Sequence, residues 1–303
     1  MRASPSDTPE ITDLIIAYDY ETRERLPVRK AEVVERFLAL GRADAAKLVA
    51  ALPEEDGHFV NEAIDALMVR VHTELQRLHE EFHNGERIAT VLKPLCETLR
   101  GHGRLRIADV GCGTGFAVRW LSMHGELGDD VALVGCDYNA ALIAAAREVA
   151  RQEGLRCRFE VENAFRLRER ASIYLSMGVV HHFRGEELDD FFRAQLHDDT
   201  LAFVHFDIAP SWLTPLGAWI FHIARMREPI ARHDGVLSAL RAHPDEVLLA
   251  SARRVATDFA VGLYATPRGL LPITRTIRPI IGVRRAHAAA LRERLGPLLE
   301  GFP

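Results

Sequence analysis

The feature that most constrains the fold is a short apolar strand that ends in a glycine-dense turn. Residues 105–115 read LRIADVGCGTG, with glycines at positions Gly111, Gly113 and Gly115. Glycine is needed where the backbone takes a positive φ or where a ligand lies too close for a Cβ. Residues 116–121 then begin an apolar helix. This order predicts a turn that aims backbone N–H groups and a helix N-terminus at a ligand with anionic or acceptor groups.

The spacing of the glycines narrows the choice of ligand. A dinucleotide-binding turn carries a further glycine where this chain has Phe116, and the Gly-Lys-Ser/Thr of a phosphate-binding loop does not follow. Asp109 stands at the carboxyl end of the strand, two residues before the first glycine. Its carboxylate repels a pyrophosphate and attracts an amino group. A ligand with an ammonium group and a nucleoside, but no phosphate, therefore fits the turn best.

At this point the sequence resembles the class I S-adenosylmethionine-dependent methyltransferases of the small-molecule type. The first motif of that family is Asp/Glu-x-Gly-x-Gly-x-Gly, and residues 109–115 read DVGCGTG. The resemblance extends over about residues 101–285 and implies S-adenosylmethionine as the cofactor. It also implies that the following motif residues contact the cofactor: Asp109, Gly111, Gly113, Thr114 and Gly115.

The resemblance continues beyond the glycine turn. Residues 131–137 are predicted to form a second buried strand that ends in Asp137, whose carboxylate can accept both hydroxyls of a ribose. Tyr138 follows and is predicted to lie along the adenine. Asn163 stands where family members usually carry an aspartate that contacts the adenine amino group, and its side-chain carbonyl can accept from that group. A turn residue is the alternative for this asparagine. Ala164 belongs to the same predicted contact region.

The candidate catalytic residues follow a predicted fourth strand, residues 172–177. The resemblance places its last residue, Met177, among the cofactor contacts. His181 and His182 come next, where the family places its reacting groups. Methyl transfer to an oxygen or carbon acid usually needs a general base with a pKa near neutrality, and histidine meets that need. One of these histidines is therefore the candidate base, and a scaffold role at a helix start is the alternative.

Candidate substrate contacts lie at and after the end of a predicted fifth strand. His205 and Asp207 close that strand, and alternation puts both on one face, which also makes them a second possible base pair. Trp212 lies in the segment 209–256, an apolar stretch with few charges. Such a lining suits a mid-sized, partly hydrophobic small molecule. Core packing is the alternative for many of its apolar residues.

The other histidines and the cysteines show no metal-binding pattern. The chain has 14 histidines, but no HExxH motif and no Cys/His array, and adjacent histidines on a helix point in different directions. His233 beside Asp234 is a weaker candidate for a base pair. The four cysteines have no metal-ligand spacing and are predicted to be free thiols in a reducing cytoplasm. We expect no bound metal.

Strands that alternate with helices predict the fold class. We expect an α/β fold with a Rossmann-like, doubly wound, mainly parallel seven-stranded sheet and an N-terminal helical domain. The remaining predicted strands are residues 157–161, 259–264 and 277–284, and the predicted helices of this part are residues 140–150, 186–196, 213–227 and 245–252.

The first hundred residues are predicted to be a separate helical region. Apolar residues recur at helical spacing over residues 59–82, which indicates one long amphipathic helix. Shorter helices are predicted near residues 30–40, 44–52 and 87–99. We expect residues 1–100 to form a lid over the cofactor or a homodimerisation region, and residues 101–303 to form the methyltransferase domain. A lid is favoured, because family members commonly carry a helical N-terminal cap.

Composition limits the partners. The chain has 303 residues and a formal net charge of −5, so it lacks the basic footprint of a nucleic-acid-binding protein. Methyltransferases that act on base amines carry Asn/Asp-Pro-Pro-Tyr after the fourth strand, whereas residues 176–179 read SMGV. No apolar run reaches a membrane-spanning length of about 18 residues. We therefore expect a cytoplasmic protein with a small-molecule substrate, no nucleic-acid partner and no membrane partner.

Three functional hypotheses follow. The leading one is transfer of a methyl group from S-adenosylmethionine to a small metabolite, with oxygen favoured as the acceptor atom and nitrogen and carbon open. The second is a non-catalytic protein that binds S-adenosylmethionine or a nucleoside and acts as an interaction or regulatory module. The third, an NAD-dependent oxidoreductase, is disfavoured by Phe116 in the glycine turn.

Overall fold

The computed structural model describes residues 8–19, 21–211, 213–265 and 277–302. These residues form two compact units. The helical unit contains the described residues up to Arg77 together with those from Pro210 to Ala242. The sheet unit contains the described residues from Leu78 to Ala209 and those from His243 onward.

The sheet unit is built on one mixed sheet, ordered β8-β6-β7-β5-β4-β1-β2-β3. The strands β1 to β5 are parallel to one another, whereas β7 pairs antiparallel with β5 and β6, and β6 pairs antiparallel with β8. The strands are β1 Leu105–Val110, β2 Val131–Asp137, β3 Arg158–Val161, β4 Ile173–Met177, β5 Ala202–Ile208, β6 Phe259–Tyr264, β7 Ile277–Arg284 and β8 Leu299–Glu300.

From β1 onward, helices of the described residues separate most of the consecutive strands, and three of them lie between β5 and β6. The bounds of the helices are α1 Ile11–Leu14, α2 Lys30–Ala39, α3 Ala43–Ala50, α4 Asn61–Glu81, α5 Asn84–Leu99, α6 Phe116–His124, α7 Ala140–Gln152, α8 Glu186–Arg193, α9 Thr214–Arg225, α10 Pro229–Arg241, α11 Asp245–Val255 and α12 Ala288–Leu295.

The predicted fold class is confirmed, with one addition at the edge of the sheet. The seven predicted strands are present, and β8 adds a two-residue eighth strand against β6. So short a segment shows no alternation of apolar and polar residues, so its pairing had no signal in the sequence. The helix α10 was also not predicted, because the only predicted helices of this region were residues 213–227 and 245–252.

Helices cover both faces of the sheet, which explains why its strands are almost wholly apolar. Alternate residues of β1 enter opposite cores: Ile107 joins a cluster with α5 and α12, and Ala108 joins one with α8 and α11. A parallel sheet buried on both faces requires such continuous hydrophobic runs. The strands β5, β4, β1 and β2 are parallel neighbours in the sheet. Their carboxyl ends therefore lie side by side at one edge of the sheet.

The helical unit joins the N-terminal helices to α9 and α10. Both carboxylate oxygens of Glu74 accept from the backbone N–H of Arg227, at 3.0 Å each, immediately before α10 begins. The ring of His222 lies so close to Gly235 that a Cβ there would be 2.0 Å from the ring. These contacts show why the segment between β5 and α11 belongs to this unit. The chain thus divides differently from the predicted boundary at residue 100, since α5 lies in the sheet unit.

Candidate functional site

The glycine turn between β1 and α6 has the conformation that its sequence requires. Gly111 and Gly115 have φ of +74° and +79°, a region that residues with a Cβ rarely adopt. A Cβ on Gly111 would also lie 2.6 Å from Cγ2 of Val179, and one on Gly115 would lie 2.3 Å from the ring of Phe159. The glycines therefore serve both the turn and the close packing beneath it.

The N–H groups of this turn are used differently from the prediction. Gly111 and Cys112 donate to the carbonyl oxygen of Cys136, at 2.7 and 3.0 Å, and Gly113 donates to Oδ2 of Asp137 at 2.9 Å. These donors close the turn onto the end of β2 and are not aimed outward at a ligand. What the turn presents is bare backbone, together with the N-terminus of α6.

Asp137 links the turn to the start of α7. Its Oδ1 accepts from the N–H of Asn139 at 2.9 Å, while its Oδ2 holds Gly113. Asn139 in turn caps α7, because its Oδ1 accepts from the N–H groups of Ala141 and Leu142. The carboxylate at the end of β2 is therefore held in one position by the backbone.

Asp109 is the most unusual group at this edge. The residue is 2 % exposed, and within the described part of the chain its Oδ1 has no hydrogen-bond partner. Burial, and then the neighbouring charge of Asp137, raise the pKa of Asp109 to about 8. A buried carboxyl group without a partner is costly, so this position suits a cationic or hydrogen-bond-donating ligand.

The other predicted cofactor residues surround the turn. Thr114 is buried, Tyr138 is 38 % exposed, and Met177 is half-buried at the end of β4. Oδ1 of Asn163 accepts from the N–H of Phe165 at 2.8 Å, which is the turn geometry that the sequence analysis gave as its alternative. Ala164, beside it, packs partly buried against the core that includes α8.

The histidine turn, Val180–His182, follows β4 and lies against the end of β5. Asp207 holds it by two bonds of 2.8 Å each, since Oδ2 accepts from the backbone N–H of His181 and Oδ1 pairs with Nδ1 of its ring. Burial alone would raise the pKa of Asp207, but His181 and the N–H of Ile208 lower it to about 2. The carboxylate is thus ionised and fixes the proton of His181 on Nδ1, so the basic lone pair of the neutral ring is on Nε2.

His243 supports the histidine turn from the segment before α11. Its Nε2 donates to the carbonyl oxygens of Phe183, at 2.9 Å, and Val180, at 3.3 Å. Nη1 of Arg184 lies 2.5 Å from Nε2 and 3.1 Å from Nδ1 of this ring, and because a guanidinium can only donate, its acceptor is Nδ1, the nitrogen without a proton. Burial and the charge of Arg184 lower the pKa of His243 to about 4, so its ring is neutral. The sequence analysis missed this residue, because it is 60 residues from Phe183 in the chain.

The two predicted substrate residues on β5 are not paired with each other. Nδ1 of His205 bonds to Oγ of Ser176 at 2.8 Å, whereas Asp207 pairs with His181. His205 is fully buried beside the rings of Phe191 and other aromatic residues, and burial lowers its pKa to about 3. It is therefore a neutral histidine in the core. The predicted contacts of His205 and Asp207 with a substrate remain predictions.

The other candidate residues from the sequence lie in different parts of the chain. His182 is half-buried, and its ring centroid lies 4.4 Å from that of His181. Trp212 lies outside the described residues. His233 and Asp234 belong to the helical unit, where Asp234 accepts from the N–H groups at the start of α1. In the described residues, no helix is long and apolar enough to cross a membrane.

Comparison with known proteins agrees with this arrangement. Residues 107–197, from β1 to the end of the segment after α8, match the family described as "Methyltransferase domain". No curated protein matches the chain.

Two solved structures have a similar fold. One is the plantazolicin methyltransferase BamL in complex with a triazolic desmethylPZN analog and SAH, with a TM-score of 0.52, 12 % identity, and coverage of 73 % of this chain and 96 % of that one. The other is the plantazolicin methyltransferase BpumL in complex with a pentazolic desmethylPZN analog and SAH, with a TM-score of 0.52, 11 % identity, and coverage of 74 % and 99 %. At these identities the likeness concerns the fold. The family match, the strand order and the glycine turn together show a methyltransferase domain over residues 107–197, with the fold of the solved methyltransferases.

Proposed function

We propose that this enzyme methylates an oxygen atom of a small molecule, with His181 as the general base and Asp207 as the residue that orients it. The observation that carries this proposal is the doubly bonded pair of His181 and Asp207 at the carboxyl ends of two adjacent strands, β4 and β5. That edge is also where β1 and β2 present their carboxylates.

The residues at the ends of β1 and β2 fit S-adenosylmethionine. The unpartnered Oδ1 of Asp109 suits the methionyl ammonium group, whose charge would also favour the ionised carboxylate. The oxygens of Asp137 each accept one backbone N–H, and a carboxylate oxygen offers more than one acceptor position, which suits the ribose hydroxyls. The absence of a Cβ at Gly113, whose φ is +55°, suits the close approach of the ligand.

The cofactor and the protein have different roles in the proposed reaction. When bound, S-adenosylmethionine supplies a methyl carbon that its sulfonium charge has already activated. The protein has to align the acceptor, exclude water and take up the acceptor's proton. Nε2 of His181 is the atom that takes this proton, and the ionised Asp207 stabilises the resulting imidazolium through Nδ1.

A small-molecule acceptor is supported by features of the chain itself. The net charge of −5 opposes binding to a nucleic acid backbone. The four residues SMGV at the end of β4 cannot offer the paired carbonyl acceptors that hold an exocyclic base amine. An oxygen acceptor is favoured because a hydroxyl group, unlike a neutral amine, must lose its proton near neutral pH, and His181 is placed to receive it.

Calorimetry with S-adenosylmethionine and with S-adenosylhomocysteine tests the cofactor part of the proposal. We expect Asp137→Ala to weaken binding by about 1–3 kcal/mol, because two charge-assisted hydrogen bonds to the ribose are lost. Glu160→Ala, a change to a solvent-exposed ion pair on β3, is the matched control and should bind normally. Unchanged affinity in a folded Asp137→Ala protein would remove Asp137 from the site.

Mass spectrometry of metabolite extracts incubated with the enzyme and S-adenosylmethionine tests the reaction. The proposal predicts products heavier by one methyl group in place of a hydrogen, and an O–CH₃ signal in their NMR spectra. Methylated products whose new methyl group is on nitrogen or carbon would contradict the assignment to oxygen. Cofactor binding without any methylated product across extracts would favour the non-catalytic alternative.

A further inference from the structure

Asn84, which is buried, and Arg87, which is half-buried, lie at the start of α5, and each has a buried polar atom without a hydrogen-bond partner in the described part of the chain. Asn84 is 1 % exposed, and its Nδ2 bonds to Nδ1 of His79 at 3.0 Å, but its Oδ1 has no partner in the described part of the chain. Nη1 of Arg87, three residues later, is also buried without a partner there. The only cause of the lowered pKa of Arg87 is its burial, with no carboxylate opposing it. A buried guanidinium nitrogen without an acceptor is costly, so this position suits an anionic ligand.

The start of α5 lies beside the glycine turn. The ring of His79, in the last turn of α4, stacks on the ring of Phe116 with centroids 5.3 Å apart, and Phe116 directly follows Gly115. Gly85, in the first turn of α5, lies so close to Trp120 of α6 that a Cβ on this glycine would be 2.2 Å from the indole ring. The first turn of α5 therefore packs on the first turns of α6, whereas its other end leads into β1.

The carboxyl ends of β1 and β2 carry two acidic side chains. These are Asp109 and Asp137, and the methionyl end of S-adenosylmethionine carries a carboxylate as well as an ammonium group. On the two neighbouring helices, Arg119 of α6 pairs with Glu153 at 2.6 Å and Arg147 of α7 bonds to the end of β3. A helix N-terminus supplies only a partial positive charge.

We propose that Arg87 binds the methionyl carboxylate of S-adenosylmethionine and that Oδ1 of Asn84 shares the ammonium group with Asp109. This inference rests on the proposed function. Residues three apart on a helix lie on neighbouring positions of its surface, so Asn84 and Arg87 can face one amino-acid group together. A guanidinium suits a carboxylate because it donates two parallel N–H bonds.

Calorimetry with two ligands tests the role of Arg87. S-Adenosylhomocysteine carries the amino-acid end, whereas 5′-methylthioadenosine keeps the nucleoside and the sulfur but lacks that end. We expect Arg87→Gln to weaken S-adenosylhomocysteine roughly 10- to 100-fold and methylthioadenosine less than about twofold. Lys93→Gln, on the exposed side of α5, is the matched control and should change neither affinity.

The outcomes separate the inference from the proposed function. If the unaltered protein binds neither ligand, the proposed function fails. If the unaltered protein binds both ligands, the proposed role of Arg87 is wrong in either of two cases. The first is that Arg87→Gln lowers the affinity for both ligands by the same factor, and the second is that it leaves both affinities unchanged. Should Arg87→Gln not fold, the unaltered protein still decides, because decarboxylated S-adenosylmethionine must bind at least roughly tenfold more weakly than S-adenosylmethionine. Equal affinities there would overturn the inference.

Discussion

Two histidine–aspartate pairs in this protein have nearly the same geometry but different surroundings. In the sheet unit, Nδ1 of His181 lies 2.8 Å from Oδ1 of Asp207, and in the helical unit Nδ1 of His233 lies 2.7 Å from Oδ1 of Asp234. All four residues are candidates from the sequence. What differs is the set of groups that each aspartate holds.

The pair in the helical unit is committed to structure. Nη2 of Arg42 lies 2.8 Å from Nε2 of His233, and because a guanidinium can only donate, it takes the basic lone pair of that ring. Asp234 accepts from the N–H groups of Ile11 and Thr12, at 3.0 Å each, and so satisfies the first turn of α1. A short His–Asp distance alone therefore does not identify a catalytic base.

The largest expected difference between the pairs is in turnover. His181→Asn keeps an N–H donor for Asp207 but removes the basic Nε2, so we expect kcat to fall about 10²- to 10⁴-fold. His233→Asn is the matched change in the other pair and should leave kcat within about twofold. Steady-state kinetics, with calorimetry to confirm that both proteins bind S-adenosylhomocysteine, measures the contrast. Full turnover by His181→Asn would show that this histidine is not the base.

The pair in the helical unit should contribute to stability, whereas we expect no large effect of it on turnover. Asp234→Ala removes the acceptor of two backbone N–H groups, the Thr12 hydroxyl and the His233 ring, all of them in or near the buried interior of the helical unit. We expect a loss of about 2–4 kcal/mol in the free energy of unfolding, measured by urea denaturation. Asp44→Ala, which removes an exposed partner of Arg42, is the control and should cost under about 1 kcal/mol. Equal losses for the two variants would contradict the capping role.

The sequence predicted the glycine turn better than either histidine pair, for a physical reason. At Gly111 the required backbone conformation restricts the residue type directly, so the requirement is visible within seven residues. The partner of His181 is set by the pairing of β4 with β5 and lies 26 residues away. Alternation on β5 suggested Asp207 with His205, but it carried no information about which neighbouring strand supplies a partner.

The division into units was harder still to predict. Residues 209–256 were predicted as a substrate region of the methyltransferase domain, but residues 210–242 of this region fold with the N-terminal helices. The contact that ties them there is Glu74 with the backbone at Arg227, 153 residues away. A carboxylate that accepts from backbone N–H groups has no preferred partner residue, so no sequence pattern predicts such a contact. A lid role for this unit stays a prediction.

The two aspartates should also respond differently to acid. The folded pKa of Asp207 is depressed to about 2 from an ordinary value of 3.8, so its stabilisation is present above about pH 4 and is lost as the pH falls through 2. Asp207→Asn should therefore lower the free energy of unfolding by about 2 kcal/mol at pH 7, and the gap should close in acid.

The stability contribution of Asp234 should depend on pH in the opposite direction, so this residue provides the control. Burial, the largest influence, raises the pKa of Asp234, so its ionisation weakens the fold as the pH rises above its ordinary value. The gap between the unaltered protein and Asp234→Asn should widen, not close, between pH 6 and pH 4 (urea denaturation at each pH). Parallel pH profiles for the two variants would mean that the two carboxylates have the same environment.

The smallest effect should come from His243, which shapes the catalytic pair without touching it. His243→Ala removes the donor to the carbonyl oxygens of Phe183 and Val180, so the turn that carries His181 loses one of its two supports. We expect kcat to fall about tenfold with little change in the affinity for S-adenosylhomocysteine, because the glycine turn is held separately by Asp137. His243→Gln, whose side-chain amide can still donate to those oxygens, should recover most of the loss. If His243→Gln is as slow as His243→Ala, or if cofactor affinity falls in step with kcat, the residue acts on the fold as a whole and the two supports of the histidine turn are not independent.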